Sequence, residues 1–288
     1  MKSKSGAIAA VLPMYIFTLA FVLGPLIYML VMSFLARGAS WGITTEVTPR
    51  NYLHILQPAY LKTFTQSLRL ALLTTGLAIL FGYPFGYFMA RLSPKSRDRC
   101  MLLLIIPFWT NSLLRLYGWM IIFRANGPLD VFLMGLNITH APLKLLYTYP
   151  AVAVGMIYAL LPFMIYSVYA SAEKMDWSLV EASRDLGASS FRAFLTVTLP
   201  LTMPGLYSGI ILTFIPSMGL YFIADLLGGN KIVLVGNLIQ EQLMRVHDWP
   251  FAAALSVILM LMTTLFLFVY RKITRAVGSA DSKLEGLV

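Results

Sequence analysis

The 288-residue chain has one cysteine, three histidines and only 12% charged residues. Each shortage excludes a class of protein. Cys100 alone permits no intrachain disulfide and no cysteine-based metal site. His54, His140 and His247 are scattered over connecting segments, and no metal-ligand spacing joins them. The charged share is roughly half that of an ordinary soluble protein. Net charge is +10, yet there is no block of five or more basic residues and no interleaved basic–aromatic groove, so nucleic-acid binding is not expected. The phosphate-binding pattern G-x-x-x-x-G-K-[ST] does not occur, so this chain does not bind ATP by that means.

Apolar residues are what the chain has in abundance. They make up 59% of it, and the mean hydropathy is +0.77. A water-soluble core of this size cannot hide that much apolar surface. A soluble enzyme, a disordered protein and a secreted disulfide scaffold are all excluded.

A membrane-spanning helix needs about 20 apolar residues. Six such runs stand at about 8–35, 67–90, 101–123, 148–170, 205–227 and 250–270. They predict an all-α polytopic protein, one membrane domain over 1–288, with lipid around the spans. The first run is too long for the apolar core of a secretory signal and lacks a small-residue cleavage site, so it is expected to be retained. Placing the N-terminus inside puts 13 of the 22 Lys and Arg in cytoplasmic segments: Lys2, Lys4, Arg91, Lys95, Arg97, Arg99, Lys174, Arg184, Arg192, Arg271, Lys272, Arg275 and Lys283. Cytoplasmic loops carry such an excess, so both termini are expected in the cytoplasm. Pro107, Pro162 and Pro216 fall inside spans, where each removes a backbone donor. That pattern fits ordinary membrane-helix irregularity and broken helices lining a cavity equally well.

The longest cytoplasmic loop, about 171–204, has internal order. Asp176 or Ser178 can cap a short helix, and Ser178 with Glu181 fits a capping box. Leu179, Ala182 and Leu186 follow at helical spacing. Gly187 stands where a helix end wants positive φ. Ser189 or Ser190 can cap a second helix through Val197, with Pro200 ending it. This helix–turn–helix fits a connector resting on lipid headgroups, and it fits a docking knob.

The segment Glu181-Ala182-Ser183, three residues, Gly187, nine residues, Val197, one residue, Leu199-Pro200 resembles the EAA loop of ABC importer permeases. Ser183 for Ala and Val197 for Ile are its departures. The resemblance implies the six-span type I permease fold. It also implies a loop seated in a cleft of a cytoplasmic ATPase subunit, with Glu181 as polar contact, Ala182 permitting close approach and Gly187 setting the turn. The implied partners are a second homologous permease subunit, an ATPase dimer in a separate chain and a periplasmic binding protein. No cofactor and no catalytic residue is implied.

Other stretches resemble polyamine permeases of the spermidine/putrescine type: Pro107-Phe108-Trp109-Thr110-Asn111-Ser112-Leu113-Leu114-Arg115, Leu199-Pro200-Leu201-Thr202-Met203-Pro204-Gly205, Asp225-Leu226-Leu227-Gly228-Gly229 and Asp248-Trp249-Pro250-Phe251. A polyamine is an aliphatic chain carrying positive amines. Carboxylates or aromatic faces must replace its water, because buried unpaired charge is expensive. Asp225 is the acid placed inside a span. Tyr221 and Phe222 precede it by four and three residues on one helix face, with Met218 a turn further back. Trp109 and Tyr117 offer further cation–π faces, and Trp109, Tyr117 and Tyr221 also suit helix packing or interface anchoring. Arg115 would repel a cationic cargo, so it is expected to tie a helix to a carboxylate or carbonyl. Glu241 and Asp248 are expected in an outer loop, solvated or touching a delivery protein.

Three alternatives stay open. An ion-coupled carrier would need more intramembrane carboxylates. An intramembrane enzyme would need a nucleophile–base pair, a carboxylate pair or a metal cluster in the spans. An ABC permease for an amino acid, a sugar or an anion keeps the architecture, and Arg115 leans toward the anion.

Overall fold

A computed structural model describes residues 4–38 and 42–285, with side chains over 11–38 and 42–272. Of the basic residues used for orientation, Lys2 lies outside the described residues, as do the side chains of Lys4, Arg275 and Lys283.

In chain order, α1 (Lys4–Thr18) runs through a π turn (Leu19–Leu23) into α2 (Gly24–Ser33). A two-stranded antiparallel hairpin follows, β1 (Leu35–Arg37) and β2 (Ile43–Val47), with Leu35 opposite Val47. Then come α3 (Arg50–Ile55), α4 (Pro58–Ala90), α5 (Pro94–Ile105) with a 3₁₀ turn (Ile106–Trp109), α6 (Ser112–Phe123), α7 (Pro128–Gly135), α8 (Tyr149–Ala172) and α9 (Ser178–Asp185). Next, α10 (Ser190–Ala193) passes through a π turn (Phe194–Thr198) into α11 (Leu199–Gly219). The chain closes with α12 (Tyr221–Gly228), α13 (Val235–Glu241), a π turn (Gln242–Val246) and α14 (Trp249–Glu285).

Five stretches are long and apolar enough to cross a membrane: Val11–Ser33, Pro58–Ala90, Tyr149–Ala172, Ser190–Gly219 and Trp249–Lys272. A further pair, Pro94–Trp109 and Ser112–Gly135, meets the same criterion only when taken together and is bent by 94°, the shape of a broken span or a re-entrant loop. The unbroken span expected at about 101–123 is thereby corrected. Pro107 removes a donor at the 3₁₀ turn, Thr110 is extended, and the Asn111 side chain accepts from the Leu113 amide at 2.8 Å to start a new helix. The span expected at about 205–227 is corrected as well. Helix α11 starts earlier and stops at Gly219, where Leu220 (φ −73°, ψ 74°) breaks the chain before α12.

By their contacts, residues up to 62 and from 238 onward form one compact unit, and residues 63–237 form another. In the first unit α2 packs on α14. Tyr52 and Ser33 share a hydrogen bond of 2.6 Å, and the Asn51 amide donates to the Ser33 and Leu35 carbonyls. His54 lies in a ring cluster with Tyr60 and Phe251, at centroid distances of 5.1 and 4.8 Å. Asp248 is neither simply solvated nor free. It accepts from the Phe251 amide at the start of α14 and lies 3.8 Å from Arg37.

The second unit is organised around α8. Two G-x-x-x-G pairs, Gly82 with Gly86 on α4 and Gly205 with Gly209 on α11, let both helices approach it. An added Cβ would sit 2.7 Å from Met164 Cγ at Gly82, 2.6 Å from the Ile165 carbonyl at Gly86 and 2.5 Å from Met164 Sδ at Gly209, and at Gly205 it would strike the Ser167 carbonyl. Apolar helices in lipid associate through such close backbone packing. Tyr83 and Thr202 then share a buried hydrogen bond of 2.7 Å between α4 and α11.

Candidate functional site

The 171–204 segment forms the first of the two expected short helices, α9, but the second is only the beginning of a 30-residue helical stretch, Ser190–Gly219. Asp176 accepts from the Ser178 amide at 3.0 Å and so starts α9. Hydrogen bonds from the Ser178 hydroxyl and backbone hold the Asp176 carboxyl below its ordinary range. The Ser178–Glu181 capping box does not form, because Ser178 is itself the first helical residue. Gly187 adopts φ +89°. Its amide donates to the Arg184 carbonyl and that of Ala188 to the Ser183 carbonyl, at 2.9 and 3.1 Å, which is the Schellman pattern. Ser189 caps α10 by accepting from Arg192. Pro200 does not end this helix. It occupies the first turn of α11, where its missing donor is no loss, and the π turn carries the chain into it.

Around that turn Glu181, Arg184, Asp185, Ala188, Ser189 and Ser190 line an open concavity of about 620 Å³. Glu181, Ala182, Gly187 and Pro200 are exposed, while Ser183 and Leu199 are half-buried. Leu186 is 90% exposed and Phe191 71%. The segment is held at its base by Trp177. The Arg91 guanidinium lies 5.4 Å from the Trp177 ring centroid, and the Tyr87 ring lies tilted against the same ring at 5.6 Å. Nearby, Arg97 pairs with Glu173 at 2.7 Å.

The residues proposed for a cargo path divide among several environments. Asp225 sits on the separate helix α12, not inside a span, and one carboxylate oxygen accepts from the Asn237 side-chain amide. That amide also donates to the Tyr221 carbonyl at 3.0 Å, while the Asn237 carbonyl oxygen accepts from the Leu234 amide at 3.0 Å. Asn237 therefore stitches Tyr221 and Asp225 to the strap that follows them. Met218 belongs to α11, before the break, and is 1% exposed, so it does not join this face. Trp109 is 77% exposed at the end of its 3₁₀ turn. Tyr117 lines a cavity of about 520 Å³ together with Arg124, Lys144 and Tyr147.

Phe222 faces another cavity, of about 260 Å³, at the two helix breaks. Ser112, the first residue of α6, lines it on one side, and Pro216 and Leu220 on the other. Arg115 lines it too. Its guanidinium lies 4.4 Å from the Phe108 ring centroid and 5.7 Å from that of Tyr158. No carboxylate or carbonyl holds it among the described residues, contrary to expectation, and its Nε and Nη1 are buried without a hydrogen-bond partner. Asp130 is the charged group that sequence reasoning overlooked. It is 3% exposed and accepts from the Asn126 and Leu143 amides at 2.9 and 3.1 Å, closing the loop after α6. Its place just after Gly127-Pro128, in the first turn of α7, is the signal that marks it.

The profile of the family described as "Binding-protein-dependent transport system inner membrane component" matches residues 82–279. The spermidine/putrescine transport system permease protein PotB of Escherichia coli (strain K12) is similar, 42% identical over 88% of this chain and 93% of the relative. PotB of Salmonella typhimurium (strain SL1344) is 40% identical over 92% of each chain. Among solved structures, a bacterial ABC transporter involved in the import of the acidic polysaccharide alginate superposes with a TM-score of 0.73 at 16% identity, covering 93% of this chain and 94% of that one.

Proposed function

The chain belongs to the family of binding-protein-dependent transport system inner membrane components, and we propose that it is the permease subunit of an ATP-driven importer of spermidine and putrescine. Its relationship to the spermidine/putrescine permeases carries the reading. A second homologous permease chain completes the pathway, and a periplasmic protein delivers the polyamine. Two copies of a cytoplasmic ATPase, on a separate chain, dock at the 171–204 loops. Both termini lie in the cytoplasm. The excess of Lys and Arg in the segments on that side supports this orientation.

Exposed Leu186 and Phe191 beside the charged concavity support docking by a protein. Apolar side chains supply contact area, and Glu181, Arg184 and Asp185 supply the polar register of such an interface. Closure of the ATPase pair on ATP moves the Gly187 turn, and α11 moves with it. On the cargo side, Asp225 offers a half-buried carboxylate one helical turn along α12 from Tyr221 and Phe222, whose ring centroids are 6.1 Å apart. A carboxylate with aromatic faces replaces the water lost by an alkyl ammonium. Trp109 and Tyr117 extend the aromatic lining in this reading.

Arg115 favours a second reading, an anionic cargo within the same architecture. One experiment separates them. The four-subunit membrane complex is reconstituted in vesicles, and uptake of labelled spermidine, putrescine and an anionic control is followed with and without ATP. ATP-dependent uptake of the two polyamines alone supports the first reading. Uptake of the anion alone overturns it.

A further inference from the structure

The Arg115 cavity holds a charge that its neighbours do not cancel. A guanidinium paired with a carboxylate contributes little net field, and for that reason intramembrane cations are commonly paired. Arg115 is held instead by ring faces, at 4.4 Å from Phe108 and 5.7 Å from Tyr158. Ring faces fix its position through their quadrupole and leave its whole positive charge in place. The remaining walls, Leu220 and Phe222 among them, are apolar apart from Ser112. The charge stands where both broken helices end, at Ser112 on one side and Leu220 on the other, and irregular backbone at membrane depth is tolerated where it faces protein or a water-filled path.

We infer that Arg115 is a fixed electrostatic barrier against leakage of small monovalent cations, held by Phe108 and Tyr158 so that its charge stays uncompensated. This rests on the polyamine reading, because a path made attractive to ammonium groups also attracts K+ and Na+. A fixed positive charge beside a cargo path repels a lone small cation. A long di- or tri-cation carried through by ATP-driven movement reaches acid and aromatic contacts beyond it at the same time.

The test uses the whole complex in vesicles, with leak read per assembled complex. K+ and chloride fluxes are measured without ATP, and spermidine uptake with ATP. Arg115→Met and Arg115→Gln are expected to raise K+ leak on the order of tenfold or more and to leave chloride leak low. Arg115→Lys keeps the charge and is expected to keep K+ leak low. Phe108→Leu retains the charge but removes its ring, and is expected to raise K+ leak as well. That variant carries the test should neither neutral variant assemble. Wild-type K+ leak in the neutral variants overturns the inference, as does equal leak of K+ and chloride, which marks a packing hole. An unchanged leak in Phe108→Leu overturns the holding role. Failure of the polyamine reading shows separately, as absent ATP-driven spermidine uptake in the wild-type complex.

Discussion

Asn237 donates its side-chain amide to the Asp225 carboxylate and, with the same nitrogen, to the Tyr221 carbonyl one helical turn earlier. The acid is thus engaged from within its own chain, and its two roles can be separated. Asp225→Asn keeps an acceptor for Asn237 and removes the charge. It is expected to leave the melting temperature near wild type and to lower spermidine uptake. Asn237→Leu removes the amide instead and strands the Asp225 oxygen and the Leu234 amide. A loss of about 1–3 kcal/mol is expected, read as a lower melting temperature in detergent.

The α8 packing makes a graded prediction. Alanine at Gly86 or Gly205 meets a backbone carbonyl, whereas at Gly82 or Gly209 it meets the Met164 side chain. Backbone cannot move aside, while methionine has rotamers to spare. Gly86→Ala and Gly205→Ala are expected to destabilise by about 1–3 kcal/mol, and the other two by less. Thermal unfolding of the four variants checks the order.

Docking at the 171–204 loop predicts a loss of coupling without a loss of fold. Glu181 and Leu186 are both exposed. Glu181→Lys is expected to cut ATP-driven uptake on the order of tenfold, with ATPase turnover no longer tied to transport. Leu186→Ser is expected to weaken retention of the ATPase subunit. Both variants should melt like wild type, and normal uptake in Glu181→Lys counts against the docking assignment.

Asp176 gives a pH prediction. Its carboxyl is held below the ordinary 3.8 by the Ser178 hydroxyl and amide. A lowered folded value means that the carboxylate's support for the start of α9 is complete above the ordinary value and is lost as pH falls through the lowered one. NMR titration of the Asp176 carboxyl is expected to give a midpoint below 3.8, with the Ser178 amide shift moving in step. In Asp176→Asn that amide should be insensitive to acid.

Legibility in the sequence followed the range of the interactions. The Gly187 turn was readable because a Schellman ending depends on neighbours alone, and so was the Ser189 cap. Pro200 was misread because a proline opens a helix as readily as it closes one, and only the π turn shows which. The break at Thr110–Asn111 carried a legible cap signal, masked by continuous hydropathy across it. The G-x-x-x-G pairs at Gly82 and Gly205 were present as patterns, but their partner helix was not. Arg115 and Asp225 stood out in the sequence as ionisable residues within apolar runs, although Asp225 proves to lie on α12 outside the spans, and their companions Tyr158 and Asn237 come from elsewhere in the chain and needed three dimensions.

Between Ser190 and Gly219 the chain stays helical through its π turn, 30 residues in one rod about 45 Å long whose hydrogen bonding is interrupted at Pro204 and Pro216. A push or twist applied where Ser189 ends the Gly187 turn travels along one continuous helix, with any bending concentrated at those prolines, before it reaches Leu220. Stiffness along that rod sets how much of a stroke at one membrane face arrives beside Arg115 near its other end.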